Sequence, residues 1–315
     1  MRKFLASLLL FYVVAVSFVD IFCRYLTFYF DSFTLNFYRF FVGSLSLLIV
    51  SRFFFKSDFK KLINNFRQLG EIIILAGILA TSQFFYIKGL SYTSAVMGPL
   101  INVLGLLIGI VLVGLVFADE RKIIKGRNFI MGLMFSILGV IGLNISKGID
   151  IPKYSSGIYY LIVAVALVGV VNLLTKRLII NSHPVCLSSL VTMFMSVFFF
   201  IGALFNGNLV KIVQVSSFTN FILLGSGVYG LMIGMGLGYV CIKMFGISKV
   251  NLISLSTPVF TGIFAYLLLK ESLNVEQILF ATILIGGCFI AIRNKSKVYK
   301  NNDSFSRASR FNSFN

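Results

Sequence analysis

Ten apolar stretches, each long enough to cross a bilayer, alternate with short polar loops between Leu5 and Ile292. A membrane-spanning α-helix needs roughly 20 predominantly apolar residues. The predicted spans are 4–24, 33–53, 70–90, 94–117, 127–146, 156–175, 184–205, 218–242, 248–269 and 274–292. The pattern predicts an all-α membrane protein with ten transmembrane helices, and the 58% share of hydrophobic residues agrees with it.

Basic residues are unevenly distributed between the two sides of this predicted topology. With the N-terminus in the cytoplasm, 21 of the 28 Lys and Arg residues fall in cytoplasmic segments and six fall outside, which leaves Arg39 within the second span. Short loops rich in Lys and Arg stay in the cytoplasm, so we expect both termini there. The net charge of +18 therefore reflects topology first. A basic surface for anionic lipid is a secondary interpretation, and nucleic acid is not an expected partner because no soluble domain is predicted.

Cysteine and histidine usage bears on metals and cofactors. The four cysteines fall in or beside four different spans without a CxxC pair, and His183 is the only histidine. A disulfide framework or a zinc site needs paired or clustered ligands. We therefore expect no metal and no cofactor.

The chain divides into two halves whose sequences resemble each other. Residues 1–146 and 156–292 each hold five predicted spans, residues 147–155 form a polar linker, and residues 293–315 form a basic cytoplasmic tail that we expect to be disordered. Because five is odd, the halves must enter the membrane from opposite sides. The segment at 87–94 resembles that at 242–249, and 117–120 resembles 268–271. These pairs predict an inverted repeat, an architecture that many secondary transporters use.

Particular motifs also resemble a known family. The run Gly89-Leu90-Ser91-Tyr92-Thr93-Ser94-Ala95, with Asp119-Glu120 closing the next span, looks like the EamA-type module of the drug/metabolite transporter superfamily. A second copy runs from Gly246 through Pro258 to Glu271, and Asn36–Phe41 resembles the Arg-Phe motif of that family's second helix. The resemblance implies two inverted five-helix repeats around a central cavity lined chiefly by helices 1, 3, 4, 6, 8 and 9.

A narrower resemblance concerns the first two spans. Asp20–Leu26, Ser32-Phe33 and Arg39-Phe40-Phe41 look like the first helices of S-adenosylmethionine uptake carriers of intracellular bacteria. These motifs are short and are shared with neighbouring branches of the superfamily.

Three charged residues within or at the end of spans are candidates for gating or coupling. Asp20 and Arg24 are four residues apart and share a helix face. One interpretation is an ion pair between them at the membrane interface; the other is a gate or proton coupling. The family resemblance makes Arg39 an anchor that would pair with Asp20. Pro99 and Pro258 each remove a backbone donor, which gives either a hinge or a tolerated kink.

Neutral polar residues within the spans are the candidates for substrate binding. They lie on helices that the resemblance assigns to the cavity: Gln83, Tyr86, Asn102, Asn172, Tyr229, Tyr239 and Thr257. A buried polar group needs a partner, so these side chains face a wet cavity or form hydrogen bonds between helices. They suit a zwitterionic or polar organic solute, whereas a strongly anionic one would want an Arg or Lys at mid-depth.

The sequence thus predicts a secondary active transporter, not an enzyme, in a bacterial inner membrane. It would move a small polar metabolite, such as an amino acid, by alternating access, and S-adenosylmethionine exchange is the alternative. A lipid-modifying membrane enzyme is the rival from another class, but it would need a carboxylate or histidine cluster. The expected partners are a small-molecule substrate and the lipid bilayer, with a homodimer left open.

Overall fold

Apolar α-helices make up most of the chain in the computed structural model. The structure describes residues 2–116, 126–145, 151–245, 250, 253–254, 256–271, 273–287 and 289–290, although not every side chain within them. The predicted tail at 293–315 and the Asp119-Glu120 motif lie outside the described residues.

The helices follow the predicted spans closely. They are α1 (Arg2–Leu26), α2 (Ser32–Phe54), α3 (Lys56–Asn64), α4 (Phe66–Tyr92), α5 (Met97–Val116), α6 (Arg127–Ile145), α7 (Ile151–Ile180), α8 (Pro184–Asn206), α9 (Ser217–Gly230, continued by a π-helical stretch Leu231–Leu237 and by Gly238–Phe245), α10 (Thr257–Phe264, continued by a π-helical stretch Ala265–Leu269) and α11 (Val275–Gly287). A single helical turn, Lys211–Gln214, precedes α9.

One additional helix and one earlier helix start differ from the sequence prediction. α3 is an additional short amphipathic helix that buries Phe59 and Leu62 and exposes its lysines. It is too short and too polar to have been found by a search for spans. α7 begins at Ile151, inside the predicted linker 147–155.

The surface is typical of a protein that crosses a membrane several times. Within the described residues, six helices are long and apolar enough to span a bilayer. Large apolar side chains cover their outer faces; Phe53 and Phe205, for example, are 78% and 81% exposed. A soluble protein rarely exposes such extended apolar surface, so these faces are suited to lipid.

Helix contacts between the two halves follow a two-fold pattern. α4 packs on α7 as α1 packs on α9, and α5 packs on α7 as α1 packs on α10. The contact of α2 with α9 is matched by that of α4 with α8, while α2 and α8 pack on each other. Each helix therefore occupies the same kind of position in its half as its counterpart does in the other.

Glycines allow the closest of these helix crossings. A Cβ on Gly43 would collide with the carbonyl oxygen of Gly227, and a Cβ on Gly227 would lie 2.6 Å from the carbonyl oxygen of Arg39. Small residues serve this purpose in membranes, where helices associate through close packing rather than through expulsion of water. The backbones of α2 and α9 therefore touch at this point, beside Arg39.

We predict that Gly227→Ala destabilises the protein, because the new methyl group would meet the immobile backbone of α2. Overpacking of this kind costs about 1–3 kcal/mol. Gly225→Ala is the matched control, since nothing lies within 4 Å of a Cβ at that position. Thermal unfolding of both variants in the same detergent measures the difference. Equal melting temperatures would show that α2 and α9 are not in direct backbone contact.

Candidate functional site

A polar cavity of about 290 Å³ lies between the two halves. Helices α1, α2, α4 and α5 contribute to its wall from the first half, and α7, α9 and α10 from the second. Its polar lining residues are Tyr12, Asp20, Cys23, Arg39, Ser82, Gln83, Tyr86, Asn102, Ser254 and Thr257. The volume is close to the lower limit for small-molecule sites.

The cavity brings together some of the residues that the sequence singled out. Four of the proposed substrate-binding residues line it: Gln83, Tyr86, Asn102 and Thr257. Three of the proposed gating or coupling residues do so as well: Asp20, Arg39 and Pro99. These seven residues come from five helices, so the site depends on the packing of the whole bundle.

The other predicted residues lie away from this cavity. The Tyr229 hydroxyl donates to the Ala15 carbonyl at 2.9 Å, and Tyr239 is buried in an apolar core against α7 and α8. Asn172 is half-buried outside the cavity lining. Pro258 lines a separate, largely apolar crevice between α5, α10 and α11, and Arg24 lies near the end of α1 beyond the cavity.

Tyr12 and Cys23 are cavity residues that the sequence analysis missed. Both lie on the side of α1 that carries Asp20: Cys23 is three residues from Asp20, and Tyr12 is eleven residues from Cys23, which is close to three whole turns. Helical periodicity counted from Asp20 to Cys23 and on to Tyr12 would have found them.

Asp20 is held by a tyrosine rather than by an arginine. The Tyr86 hydroxyl donates a hydrogen bond of 2.7 Å to Asp20 Oδ1. Gly98 leaves room for the Tyr86 ring, since a Cβ there would collide with it. Asp20 is 8% exposed, so its carboxylate contacts the cavity from a nearly buried position.

Arg39 is a buried cation without a direct ion pair among the described residues, although Asp20 lies close enough to interact with it through space. Arg39 is 2% exposed, and its Nε and Nη1 atoms have no hydrogen-bond partner. Gly230 makes room for the guanidinium, because a Cβ there would lie 3.0 Å from Nη2. The described residues show no direct ion pair between Arg39 and Asp20, but the guanidinium acts on the Asp20 carboxylate through space, so their pairing as an anchor stays a prediction.

Arg24 forms an ion pair with Glu271 from the second half. Arg24 Nε lies 2.9 Å from Glu271 Oε1, and both side chains are largely buried. Arg24 Nη1 also donates to the carbonyls of Leu90 and Ser91 at 2.9 and 3.2 Å, while Glu271 Oε2 accepts from the Ala95 amide at 2.8 Å. We call these groups the Arg24–Glu271 cluster. The interpretation that Arg24 pairs with Asp20 is therefore wrong, because Arg24 is directed to this cluster and Asp20 to Tyr86.

The local backbone of α10 explains why Glu271 reaches this position. Lys270 adopts a left-handed conformation, with φ 54° and ψ 25°, at the end of the helix. Such a residue reverses the chain at a helix C-terminus, and the Glu271 amide then donates to the Ala265 carbonyl at 3.2 Å. The turn directs the Glu271 carboxylate back toward α1 and the start of α5. Sequence periodicity gives no sign of it.

In the described part of the chain, no three His, Cys, Asp or Glu side chains come together in a group that could hold a metal ion.

Comparisons with known proteins agree with a transporter fold. The sequence model of the EamA-like transporter family matches residues 3–145 and 155–293, once in each half. A Haemophilus influenzae protein described as an uncharacterized transporter is 29% identical over 294 residues, which cover 91% of this chain and 96% of that protein. A crystal structure with 13% identity superposes with a TM-score of 0.59 over 92% of this chain and 98% of that one. At that identity the likeness shows the fold alone.

We predict that Glu271→Gln makes Cys23 more reactive toward a membrane-impermeant thiol reagent added on the side of the cluster. Cys23 lines the cavity and is 1% exposed, so it reacts only when that end opens. A hydrogen bond to a charged group stabilises by about 1.5–3 kcal/mol, and its loss should raise the labelling rate roughly tenfold.

A single-cysteine variant that retains Cys23 makes the labelling specific. Glu276→Gln is the matched control, because Glu276 is an exposed carboxylate at the start of α11 and carries the same change. Equal labelling rates in the two variants would mean that the cluster does not close the cavity.

Proposed function

This chain belongs to the EamA-like transporter family, and we propose that it is a secondary active transporter of a small polar organic metabolite. The solute would be an amino acid or a related compound, and the membrane would be the inner membrane of a bacterium. Family membership indicates a transporter rather than an enzyme, so a lipid-modifying transferase is the weaker alternative.

The observation that carries the proposal is a cavity between the two halves whose wall includes several polar side chains. Asp20, Arg39, Gln83 and Asn102 line it, within a bundle whose outer surface is apolar. Polar groups at this depth are costly unless they serve a solute or each other. A solute held between two similar halves can be released to either side when the halves rock against each other.

The two-fold contact pattern supports the proposed architecture. We propose ten membrane-spanning helices in two inverted repeats, with both termini in the cytoplasm. In this arrangement α1, α2, α4, α5 and α6 form the first repeat, and α7 to α11 form the second. The short helix α3 would then lie on the cytoplasmic surface, where its exposed lysines face lipid headgroups.

The Arg24–Glu271 cluster would act as the gate on the external side. It joins the ends of α1, α4 and α10 to the start of α5, and in this proposal these links would close the cavity at one end. Alternating access requires this end to separate while the opposite end closes. The cluster would therefore break once in each transport cycle.

The first test is counterflow uptake into proteoliposomes that contain the purified full-length protein. Radiolabelled S-adenosylmethionine and a panel of amino acids should be compared, with protein-free liposomes as the control. We expect saturable uptake of at least one compound, because a closed cavity binds a limited number of solute molecules. Uptake of S-adenosylmethionine, inhibited by its demethylated product, would favour the exchange carrier suggested by Asp20–Leu26 and Arg39–Phe41. No saturable uptake of any polar solute would contradict the proposed function.

Asp20 is the titratable carboxylate best placed to carry a proton, since it lines the cavity and bonds to Tyr86. If uptake is proton-coupled, Asp20→Asn should abolish the acceleration that an imposed pH gradient produces. Asp58→Asn on α3 is the control, because Asp58 lies outside the cavity. Acceleration that persists in Asp20→Asn would exclude coupling through this residue and leave exchange or facilitated diffusion.

A further inference from the structure

The cavity contains one anionic and one cationic side chain that do not pair with each other. Asp20 on α1 and Arg39 on α2 both line it and interact through space, yet no direct ion pair joins them among the described residues, and two Arg39 nitrogens have no acceptor. Opposite charges in so small a space normally pair, because each is expensive to bury alone. Their separation therefore calls for an explanation.

Within the part of the chain that the structure describes, the Arg39 guanidinium lacks some of its hydrogen-bond acceptors. Two of its nitrogens, Nε and Nη1, are enclosed and lack any acceptor among the described residues. Buried donors of this kind are satisfied in the great majority of native structures. Water could accept these hydrogen bonds, but it would leave the positive charge unbalanced. A planar anion that accepts two parallel hydrogen bonds, such as a carboxylate, matches the guanidinium in both charge and geometry.

Asp20 provides the opposite charge, with one carboxylate oxygen free of donors from the described part of the chain. Its Oδ1 accepts from Tyr86, and no hydrogen-bond donor of the described residues reaches Oδ2. A carboxylate with one free oxygen at a cavity wall suits a cationic amino group. The remaining polar residues of the wall, including Gln83 and Asn102, are neutral and leave the two charges as the dominant electrostatic feature.

We propose that this pair recognises a zwitterionic solute of the α-amino-acid type, with Arg39 binding its carboxylate and Asp20 its ammonium group. The proposal rests on the transport function proposed above and specifies its substrate class. An uncharged sugar would leave both side chains unmatched, and a simple anion or cation would leave one. S-adenosylmethionine carries the same two groups at its amino-acid end, so it belongs to the class.

The test uses neutral amino acids in matched sets of three. Alanine, methionine, phenylalanine and glutamine, together with S-adenosylmethionine, are each compared with an N-acetyl derivative, which lacks the cation, and with an amide, which lacks the anion. Thermal stabilisation of the detergent-solubilised full-length protein measures binding, and inhibition of counterflow measures transport. For at least one set, the free zwitterion should bind roughly 10- to 100-fold more tightly than either derivative, as expected for hydrogen bonds to charged groups.

Variants assign each charge to its residue. Arg39→Gln should remove the preference for the free acid over the amide while keeping the preference for the free amine over the N-acetyl compound. Asp20→Asn should do the reverse, and Arg39→Lys should restore part of the acid preference. Arg52→Gln, an exposed arginine on the same helix, is the control and should change neither.

The outcomes separate this proposal from the proposed function. If the wild-type protein transports uncharged solutes but prefers no zwitterion over its derivatives, the transport function stands and the charge pair does not recognise the solute. If it binds zwitterions with the predicted preferences but transports nothing, the recognition site stands and the transport function fails. Unchanged preferences in a folded Arg39→Gln protein would overturn the assignment of Arg39, and the derivative comparison on the wild-type protein remains decisive if that variant does not fold.

Discussion

Hydrocarbon cannot solvate charge, and the arrangement of this protein depends on where each ionised side chain finds a partner. Arg24 forms an ion pair with Glu271 and donates hydrogen bonds to two carbonyls at the end of α4, while Asp20 accepts a hydrogen bond from the Tyr86 hydroxyl. Of the side chains Arg24, Asp20 and Arg39, Arg39 is the one whose enclosed donors Nε and Nη1 have no acceptor among the described residues. The three solutions differ in kind. The first links helix ends of the two halves, the second fixes a carboxylate on the cavity wall, and the third leaves donors that, in our proposal, a solute would satisfy.

Close helix packing makes these placements geometrically attainable. Gly98 admits the Tyr86 ring, Gly230 admits the Arg39 guanidinium, and the Gly43–Gly227 crossing brings α2 against α9. Each of the three would be blocked or displaced by a single methyl group. Small residues therefore allow close helix packing and also determine which positions the polar side chains of the site can occupy.

Much of the fold could be predicted from the sequence, because apolar length and the two halves are local properties. The site could be predicted only in part. Neutral polar residues on α4 and α5 reached the cavity, whereas Tyr229 and Tyr239 on α9 did not. α9 contains a π-helical stretch at Leu231–Leu237, and its wider turn changes the face that later residues such as Tyr239 present. Tyr229 precedes the stretch and instead donates its hydroxyl to the Ala15 carbonyl. The Arg24–Glu271 pair joins residues 247 positions apart through a left-handed turn at Lys270. Only tertiary structure could reveal that pairing.

The Arg24–Glu271 cluster also has a consequence for kinetics. One carboxylate holds both an arginine and the backbone amide of Ala95, and the same arginine holds the end of α4. These bonds belong to the same two side chains, so we expect them to be released together and opening to be a single activated event. The lifetime of the closed cluster then sets a ceiling on turnover, and that ceiling rises with temperature as the barrier is crossed more often. A transporter built in this way would turn over slowly but would allow little uncoupled leakage of solute.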